Sequence, residues 1–122
     1  MPVPSGSAVS GCVFCAIAEG KIPARMVHED EDFVAFRDLN PQAPTHVLII
    51  PRRHIARMDE LLPGDATLAG RLLVLAGEIA RSLGLAQDGF RVVVNTGDDG
   101  GQTVHHLHLH VLGGRAFSWP PG

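Results

Sequence analysis

The stretch HHLHLHVL, His105 to Leu112, constrains the fold most strongly because three of its histidines recur at every second position. On a β-strand this spacing sends His106, His108 and His110 to one face, in a row with neighbours ~6–7 Å apart. The apolar residues between and after them then face the core: Leu107, Leu109 and Val111. A helix would scatter the same three rings over about 200°. The pattern therefore predicts a strand over Val104 to Leu112 that carries a histidine site.

Apolar runs separated by turn residues predict four further strands. These strands cover Met26 to His28, Phe33 to Arg37, His46 to Pro51 and Phe90 to Asn95. A short helix is expected from Val13 to Ala18, ended by Gly20, and a long helix from an Asp65 N-cap to about Leu83, ended by Gly84. One long helix among strands with short connections predicts an α+β fold with an antiparallel sheet.

The long helix carries more apolar residues than one buried face requires. Leu73 and Val74 fall outside its helical stripe, which consists of Leu68, Leu72, Leu75, Ile79 and Leu83. A thick core would explain this excess. We favour the alternative of a subunit interface, because large exposed apolar patches are uncommon on monomers.

Length and composition describe one globular domain. The chain has 122 residues, with 45% hydrophobic and 19% charged residues. We expect a Pro-, Gly- and Ser-rich flexible arm at residues 1–11 and a single domain at 12–122. A net charge of -3 without a basic run argues against nucleic acid or membrane partners. Because neither a signal peptide nor a membrane span is evident, we expect a cytoplasmic protein that binds a small molecule or another protein.

Cys12 and Cys15 are the only two cysteines, and their C-x-x-C spacing forms half of a tetrahedral zinc site. His46 and His106 are the candidate ligands for the other half, which favours a structural zinc ion. A pair of small buried residues is the simpler alternative. A thioredoxin-like role is disfavoured because the βαβ context is missing. His28 and His54 fit no pattern and are expected at the surface.

The histidine row itself allows two kinds of chemistry. Imidazoles spaced as H-x-H can hold a metal, and a neutral imidazole near pH 7 can act as nucleophile or general base. The preceding loop GDDGGQT, Gly97 to Thr103, offers backbone N–H groups, a Gln amide and a Thr hydroxyl, which suit anionic oxygens. Asp38, which follows a predicted strand, either binds sugar hydroxyls or starts a turn.

These motifs together resemble a known family. HHLHLHVL fits the His-x-His-x-His-x-x pattern of the histidine triad (HIT) nucleotide-binding proteins. Ile22-Pro23, DLNPQAPTHVLIIPRRHI, VVVNTGDDGGQTVHHLHLHVLGGR and the terminal WPPG are similar to the Hint branch, the adenosine 5′-monophosphoramidase-like members. The resemblance implies a HIT-like fold: a five-stranded antiparallel sheet with one long helix and a short N-terminal helix. It also implies a homodimer across which the sheet continues.

The resemblance further implies an activity, the hydrolysis of the P–N bond of nucleoside 5′-phosphoramidates through a nucleotidyl-histidine intermediate. His108 would be the nucleophile, His110 would contact phosphate oxygens, and Thr103 would lie near the leaving nitrogen. His106 and Gln102 would complete the catalytic group. Purine nucleoside monophosphates would bind through the following residues: Asn95, Gly101, Gln102, Thr103, His108 and His110 at the phosphate, Asp38 at the ribose, and Val13, Phe14, Ile17, Ile22, Phe36, Leu39 and Trp119 around the base.

Bacterial members that this chain resembles hold one structural zinc ion, which here implies Cys12, Cys15, His46 and His106 as ligands and no catalytic metal. Thr103 replaces the Ser common in animal members, which leaves the leaving-group preference open. The alternatives are a nucleotide-binding or sensing module with weak turnover and a HIT-type dinucleoside polyphosphate hydrolase. A metal-dependent hydrolase is disfavoured, because three triad ligands would leave too few imidazoles for acid–base work.

Overall fold

The computed structural model describes residues 8–122. Its helices and strands in chain order are α1 (Val13–Ala18), β1 (Met26–Glu29), β2 (Phe33–Arg37), β3 (Thr45–Pro51), α2 (Ala66–Ser82), β4 (Phe90–Val93) and β5 (Leu109–Gly113). Short 3-10 turns at Met58–Glu60 and Pro63–Asp65 precede α2. The predicted α+β class with five strands is confirmed. Within residues 8–122, no helix has both the length and the apolar character that a membrane span needs.

The five strands form one antiparallel sheet in the order β1-β2-β3-β5-β4. β3 lies in the middle, and its residues from His46 to Pro51 are all buried. It pairs with β5 so that Ile49 lies opposite Leu109 and His46 opposite Leu112. The end of β3 therefore lies beside the start of the histidine segment, which fixes where each histidine falls in the fold.

Alternate residues of β3 face two separate cores, as expected for a strand covered on both sides. Val47 and Ile49 face α2, whose buried residues are Leu72, Leu75, Ala76, Ile79 and Ala80. Leu48 and Ile50 face α1 and pack with Phe14, Ile17 and Phe36. The sheet is therefore covered by one helix on each face.

The long helix follows its predicted stripe, and the two residues expected outside the stripe are exposed. Leu73 is 61% exposed and Val74 is 63% exposed. Asp65 is the N-cap residue, as predicted, but its carboxylate accepts from the Leu62 backbone N–H and from Arg53 instead of from the helix. Two adjacent large apolar side chains of α2, those of Leu73 and Val74, thus remain exposed.

The histidine strand is shorter than predicted. β5 begins at Leu109, not at Val104, because the Leu107 backbone N–H donates to the Ile55 carbonyl at 2.6 Å outside the sheet ladder. The alternation of side chains nevertheless continues through the bent segment before Leu109. Leu107, Leu109 and Val111 pack in the α2 core, as predicted, while His106 and His108 contact Phe14 on the α1 side. The strand predicted to reach Asn95 ends at Val93.

The arm predicted at residues 1–11 lies mostly outside the described residues. Within the described part, the Val9 backbone N–H donates to Cys15 Sγ at 3.4 Å, and the Cys12 N–H donates to the Val9 carbonyl at 3.1 Å. The segment that starts at Val9 is thus connected to the beginning of α1.

Candidate active site and metal centre

His108 is held in one tautomer by the backbone beside it. Its Nδ1 lies 2.7 Å from the His106 carbonyl oxygen. Because a carbonyl only accepts, Nδ1 carries the hydrogen and Nε2 keeps a lone pair. The ring is 6% exposed, and this burial lowers its pKa, so it is neutral near pH 7. A neutral imidazole with a fixed lone pair is the state that a nucleophile or general base requires.

His110 is held in the opposite tautomer through His46. The Gln42 backbone N–H donates to His46 Nδ1 at 3.1 Å, so His46 carries its hydrogen on Nε2. That Nε2 lies 2.9 Å from His110 Nδ1, which therefore accepts. His110 consequently carries its hydrogen on Nε2, which makes this nitrogen a hydrogen-bond donor. The rings of His108 and His110 are 5.0 Å apart between centroids, so a ring with a free Nε2 lone pair neighbours a ring with an Nε2–H donor.

Burial keeps His46 and His110 neutral. Desolvation, aided by the neighbouring His108 and His46, lowers the pKa of His110 to about 4. Desolvation also lowers the pKa of His46, although the nearby negative charge of Asp38 acts in the opposite direction. One Asp38 oxygen accepts from the Asn40 backbone N–H at 2.8 Å and the other lies 3.4 Å from His46 Nε2. Asp38 therefore starts a turn, one of its two predicted roles, and also borders the histidine cluster.

A second cluster brings together two sulfurs and two imidazole nitrogens. Cys12, Cys15, His54 and His106 each offer one ligand atom, and these atoms all lie within 4.8 Å of one another. His106 Nδ1 is 3.4 Å from Cys12 Sγ and 3.5 Å from Cys15 Sγ, and His54 Nδ1 is 3.3 Å from Cys15 Sγ. Tetrahedral zinc, with Zn–S of ~2.3 Å and Zn–N of ~2.0 Å, places its sulfur and nitrogen ligands about 3.5 Å apart. The donor set and its spacing therefore fit zinc.

The His106 ring is oriented for metal binding. Its Nε2 donates to the Pro51 carbonyl at 2.7 Å, which leaves the lone pair on the Nδ1 that faces both cysteines. The ring is fully buried, and desolvation lowers its pKa to about 4, which favours the neutral form that a metal needs. Burial raises the pKa of the Cys15 thiol, so metal binding has to displace a proton there.

The prediction of His46 as a zinc ligand is wrong, and the sheet register explains why. His46 pairs with Leu112 at one end of β5, whereas His106 lies beyond the other end, six residues or ~20 Å away along a strand. His54, which was expected to lie at the surface without a partner, occupies the fourth position instead. The antiparallel pairing of β3 with β5 was the signal that could have identified His54, since it brings the residues after Pro51 next to His106.

The loop before the histidines is closed by its own hydrogen bonds. The Gln102 side chain accepts from the Gly97 N–H at 3.0 Å and donates to the Ala56 and Val104 carbonyls at 2.7 and 3.1 Å. The Gly101 and Gln102 N–H groups donate within the loop to Asp98 and Gly97. The amide of Gln102, predicted to contact substrate, thus holds the loop in this conformation. Thr103 is exposed next to it.

Gly100 shows how tightly this loop turns. A Cβ added at this position would lie 2.2 Å from the Thr96 carbonyl oxygen, so only glycine fits. Asn95, predicted to bind phosphate, is half-buried just before this turn.

The residues predicted around the base fall into two groups. Phe14, Ile17 and Phe36 are 4–7% exposed and form part of the α1 core. The others are exposed on the surface: Val13 at 39%, Ile22 at 40%, Leu39 at 92% and Trp119 at 82%. The first group is therefore part of the protein core, whereas the side chains of the second group are accessible from solvent.

Comparison with known proteins agrees with this geometry. The family model described as "HIT domain" matches residues 19–117. An uncharacterized HIT-like protein from Synechocystis is 52% identical over 110 residues, which cover 90% of this chain and 96% of the relative. The crystal structure of a HIT family hydrolase from Legionella pneumophila has a TM-score of 0.90 and 50% identity, covering 92% of this chain and all of the other.

A zinc-bound histidine triad family protein from Mycobacterium smegmatis is also similar to this chain. It has a TM-score of 0.76 and 39% identity, covering 86% of this chain and 76% of the other. The family model spans most of the chain and includes the histidine segment. The chain belongs to the HIT domain family.

Proposed function

We propose that this chain hydrolyses the P–N bond of nucleoside 5′-phosphoramidates, of the adenosine phosphoramidate or adenylyl-lysine type, as Hint-branch proteins do. The observation that carries this proposal is the 2.7 Å hydrogen bond from His108 Nδ1 to the His106 carbonyl, which leaves Nε2 as a neutral nucleophile. The complementary tautomer of His110 supplies a donor for phosphate oxygens beside it.

The reaction divides into two displacements at phosphorus. In the first, His108 Nε2 attacks phosphorus, the P–N bond of the substrate breaks, and the amine leaves with a proton that solvent supplies. In the second, water attacks the phosphorus of the nucleotidyl-His108 intermediate, the bond from phosphorus to Nε2 breaks, and the nucleoside monophosphate departs. The water gives up a proton to solvent, so the neutral imidazole is regenerated and the protons balance. Dividing one difficult step into two is the general advantage of covalent catalysis.

The neighbouring groups stabilise charge and hold the substrate during these steps. His110 Nε2–H stabilises the phosphoryl oxygens as negative charge develops on them. The Thr103 hydroxyl is the donor that we assign to the leaving nitrogen, and its exposure leaves room for amines of different size. Asp38 accepts from the ribose hydroxyls, and the exposed Val13 and Ile22 contact a purine base.

The metal that we propose is one structural zinc ion per chain, held by Cys12, Cys15, His54 and His106. When bound, zinc supplies cross-linking between α1, the segment after β3 and the start of the histidine segment. Every group assigned to the reaction lies outside this ligand set, except that the His106 carbonyl orients His108. We therefore assign catalysis to imidazoles and not to the metal.

A homodimer is part of the proposal. Leu73 and Val74 on the outer side of α2 are 61% and 63% exposed, which leaves an apolar surface that a second copy would bury.

Steady-state hydrolysis of adenosine 5′-phosphoramidate in the presence of a chelator tests the activity. We expect AMP and ammonia in equal amounts, with a rate that does not fall when free metal is removed. Binding of AMP without turnover would instead support a sensing module. Faster cleavage of a dinucleoside polyphosphate than of the phosphoramidate would contradict the assigned substrate class.

A further inference from the structure

The proposed metal centre has one buried sulfur and one accessible sulfur. Cys15 is 2% exposed, whereas Cys12 is partly exposed and both thiols are free. Cys12 lines a surface cavity of about 400 Å³. The cavity is lined by Val9, Ser10, Gly11, Cys12, Val13, His54, Ala56, Thr103, Val104 and His105. A small solute can therefore reach Cys12 and His54 from solvent, while Cys15 and His106 lie behind them.

We propose that Cys12 and Cys15 form an oxidation site, at which a hydroperoxide enters this cavity, converts the two thiolates into a disulfide and releases the metal. The inference rests on the metal centre proposed above, and it is independent of which phosphorus compound the protein hydrolyses.

The two sulfurs lie close enough for this conversion. Both are within 3.5 Å of the same atom, His106 Nδ1, and so lie on the same side of that ring. Cys12 is the N-cap of α1, and its sulfur accepts from the Cys15 backbone N–H at 3.3 Å, which holds the Cys12 sulfur against the first turn of the helix that carries Cys15. A disulfide needs an S–S distance of ~2.05 Å with Cα atoms usually ~4.4–6.8 Å apart. Residues three apart at a helix start meet that requirement, as in C-x-x-C redox motifs.

The reaction balances with the peroxide as the two-electron oxidant. The Cys12 thiolate attacks the peroxide oxygen, the O–O bond breaks, and one water (or one alcohol) leaves after protonation. The Cys15 thiolate then attacks the resulting Cys12 sulfenic acid, the S–S bond forms, and a second water leaves. Two thiolates lose two electrons in total, and solvent supplies the two protons. The zinc ion is not oxidised.

Release of the metal follows from the loss of its anionic ligands. A disulfide sulfur is neutral, so only His54 and His106 would remain as donors. Two imidazoles at this site cannot replace the charge of two thiolates, and the affinity for zinc falls accordingly. Reduction of the disulfide restores both ligands, which makes the change reversible.

The experiment uses the full chain loaded with zinc and treated with hydrogen peroxide, with a chromogenic zinc chelator in solution. We expect about one zinc ion released per chain, and intact mass spectrometry of the denatured protein should show the loss of two hydrogens relative to reduced chain. A thiol reductant plus zinc should restore both the metal content and the mass. None of these readouts depends on turnover, so failure of the proposed hydrolysis leaves them unaffected.

Single substitutions show which of the two sulfurs reacts first with the peroxide. Cys15→Ser should trap a sulfenic acid on Cys12 that a dimedone probe labels, whereas Cys12→Ser should leave the buried Cys15 at least about tenfold slower to oxidise. Should either variant fail to fold, alkylation of native wild-type protein with iodoacetamide gives the same order, with Cys12 modified first.

Two results would overturn the inference separately from the rest. If zinc is present and stays bound after peroxide treatment, or is released with sulfinic acids and no disulfide, the oxidation site is wrong. If the purified chain holds no zinc at these four residues, the proposal of a metal centre is wrong, and so is the proposal that oxidation releases the metal.

Discussion

His46 Nε2 lies 2.9 Å from His110 Nδ1, and His46 Nδ1 accepts from the Gln42 backbone N–H at 3.1 Å. The Gln42 N–H fixes the tautomer of the buried His46 ring, and His46 in turn fixes the tautomer of His110, the ring beside His108. A histidine outside the triad thereby determines which nitrogen of His110 carries the hydrogen.

Substitution of His46 should therefore change catalysis through His110. In His46→Leu the Nδ1 of His110 has no donor, so the tautomer with hydrogen on Nδ1 becomes populated and presents a lone pair to the phosphate oxygens. Loss of a hydrogen bond to a charged group costs ~1.5–3 kcal/mol, so we expect kcat/KM to fall roughly 10- to 100-fold. His46→Gln, whose side-chain amide can still donate, should retain most of the rate. Equal rates in the two variants would argue against this relay.

The zinc ligands can be distinguished by one pair of variants. His54→Ala should bind zinc more than about tenfold more weakly, since even loss of an outer-shell partner commonly costs that much. His46→Leu should bind zinc like wild type, because His46 lies at the far end of β5 from His106. Competition with a chelator of known affinity measures both. Retention of zinc by His54→Ala together with its loss in His46→Leu would restore the ligand set predicted from the sequence.

Acid should destabilise the fold through the buried imidazoles. The pKa of His110 is lowered to about 4 in the native state, against about 6.5 in the unfolded chain. Between these values the unfolded state binds the extra proton, so the free energy of unfolding falls as pH falls from 6.5 toward 4. Urea unfolding at pH 7, 6 and 5 should show this decline, with a shallower slope in His110→Asn. An unchanged slope in that variant would show that His110 does not contribute.

The apolar outer side of α2 should hold two chains together. Leu73→Glu places a charge in the proposed interface and should shift the sedimentation mass from two chains to one at micromolar concentration. Leu62→Glu is the matched control, since Leu62 is 68% exposed but precedes α2. A wild-type mass of one chain would contradict the dimer.

The sequence was sufficient to predict which side of a strand a residue faces wherever this depends only on the local alternation of side chains. Alternation correctly assigned Leu107, Leu109 and Val111 to the core and the histidines to the opposite side, even though the segment before Leu109 is bent. It was insufficient wherever the answer depends on register between distant segments.

His46 and His54 illustrate that limit. The positions of both residues follow from the pairing of β3 with β5. This pairing places His46 beside His110, and it places His54, which follows β3, beside the cysteines. No local spacing distinguishes the two residues before that pairing is known. Gln102 is a similar case, because its partners Ala56 and Val104 become neighbours only when the segment after β3 packs against the loop.

Whether His108 carries the nucleotide is decided by mass spectrometry of protein quenched in acid-free denaturant during turnover of an adenosine phosphoramidate. We expect a mass increase of one adenylyl group, with fragmentation locating it on His108. His108→Asn, which should bind AMP within about tenfold of wild type, or ~1.4 kcal/mol, should show neither the adduct nor turnover. An adduct located on His106 or His110, or substantial turnover by His108→Asn, would contradict the covalent mechanism.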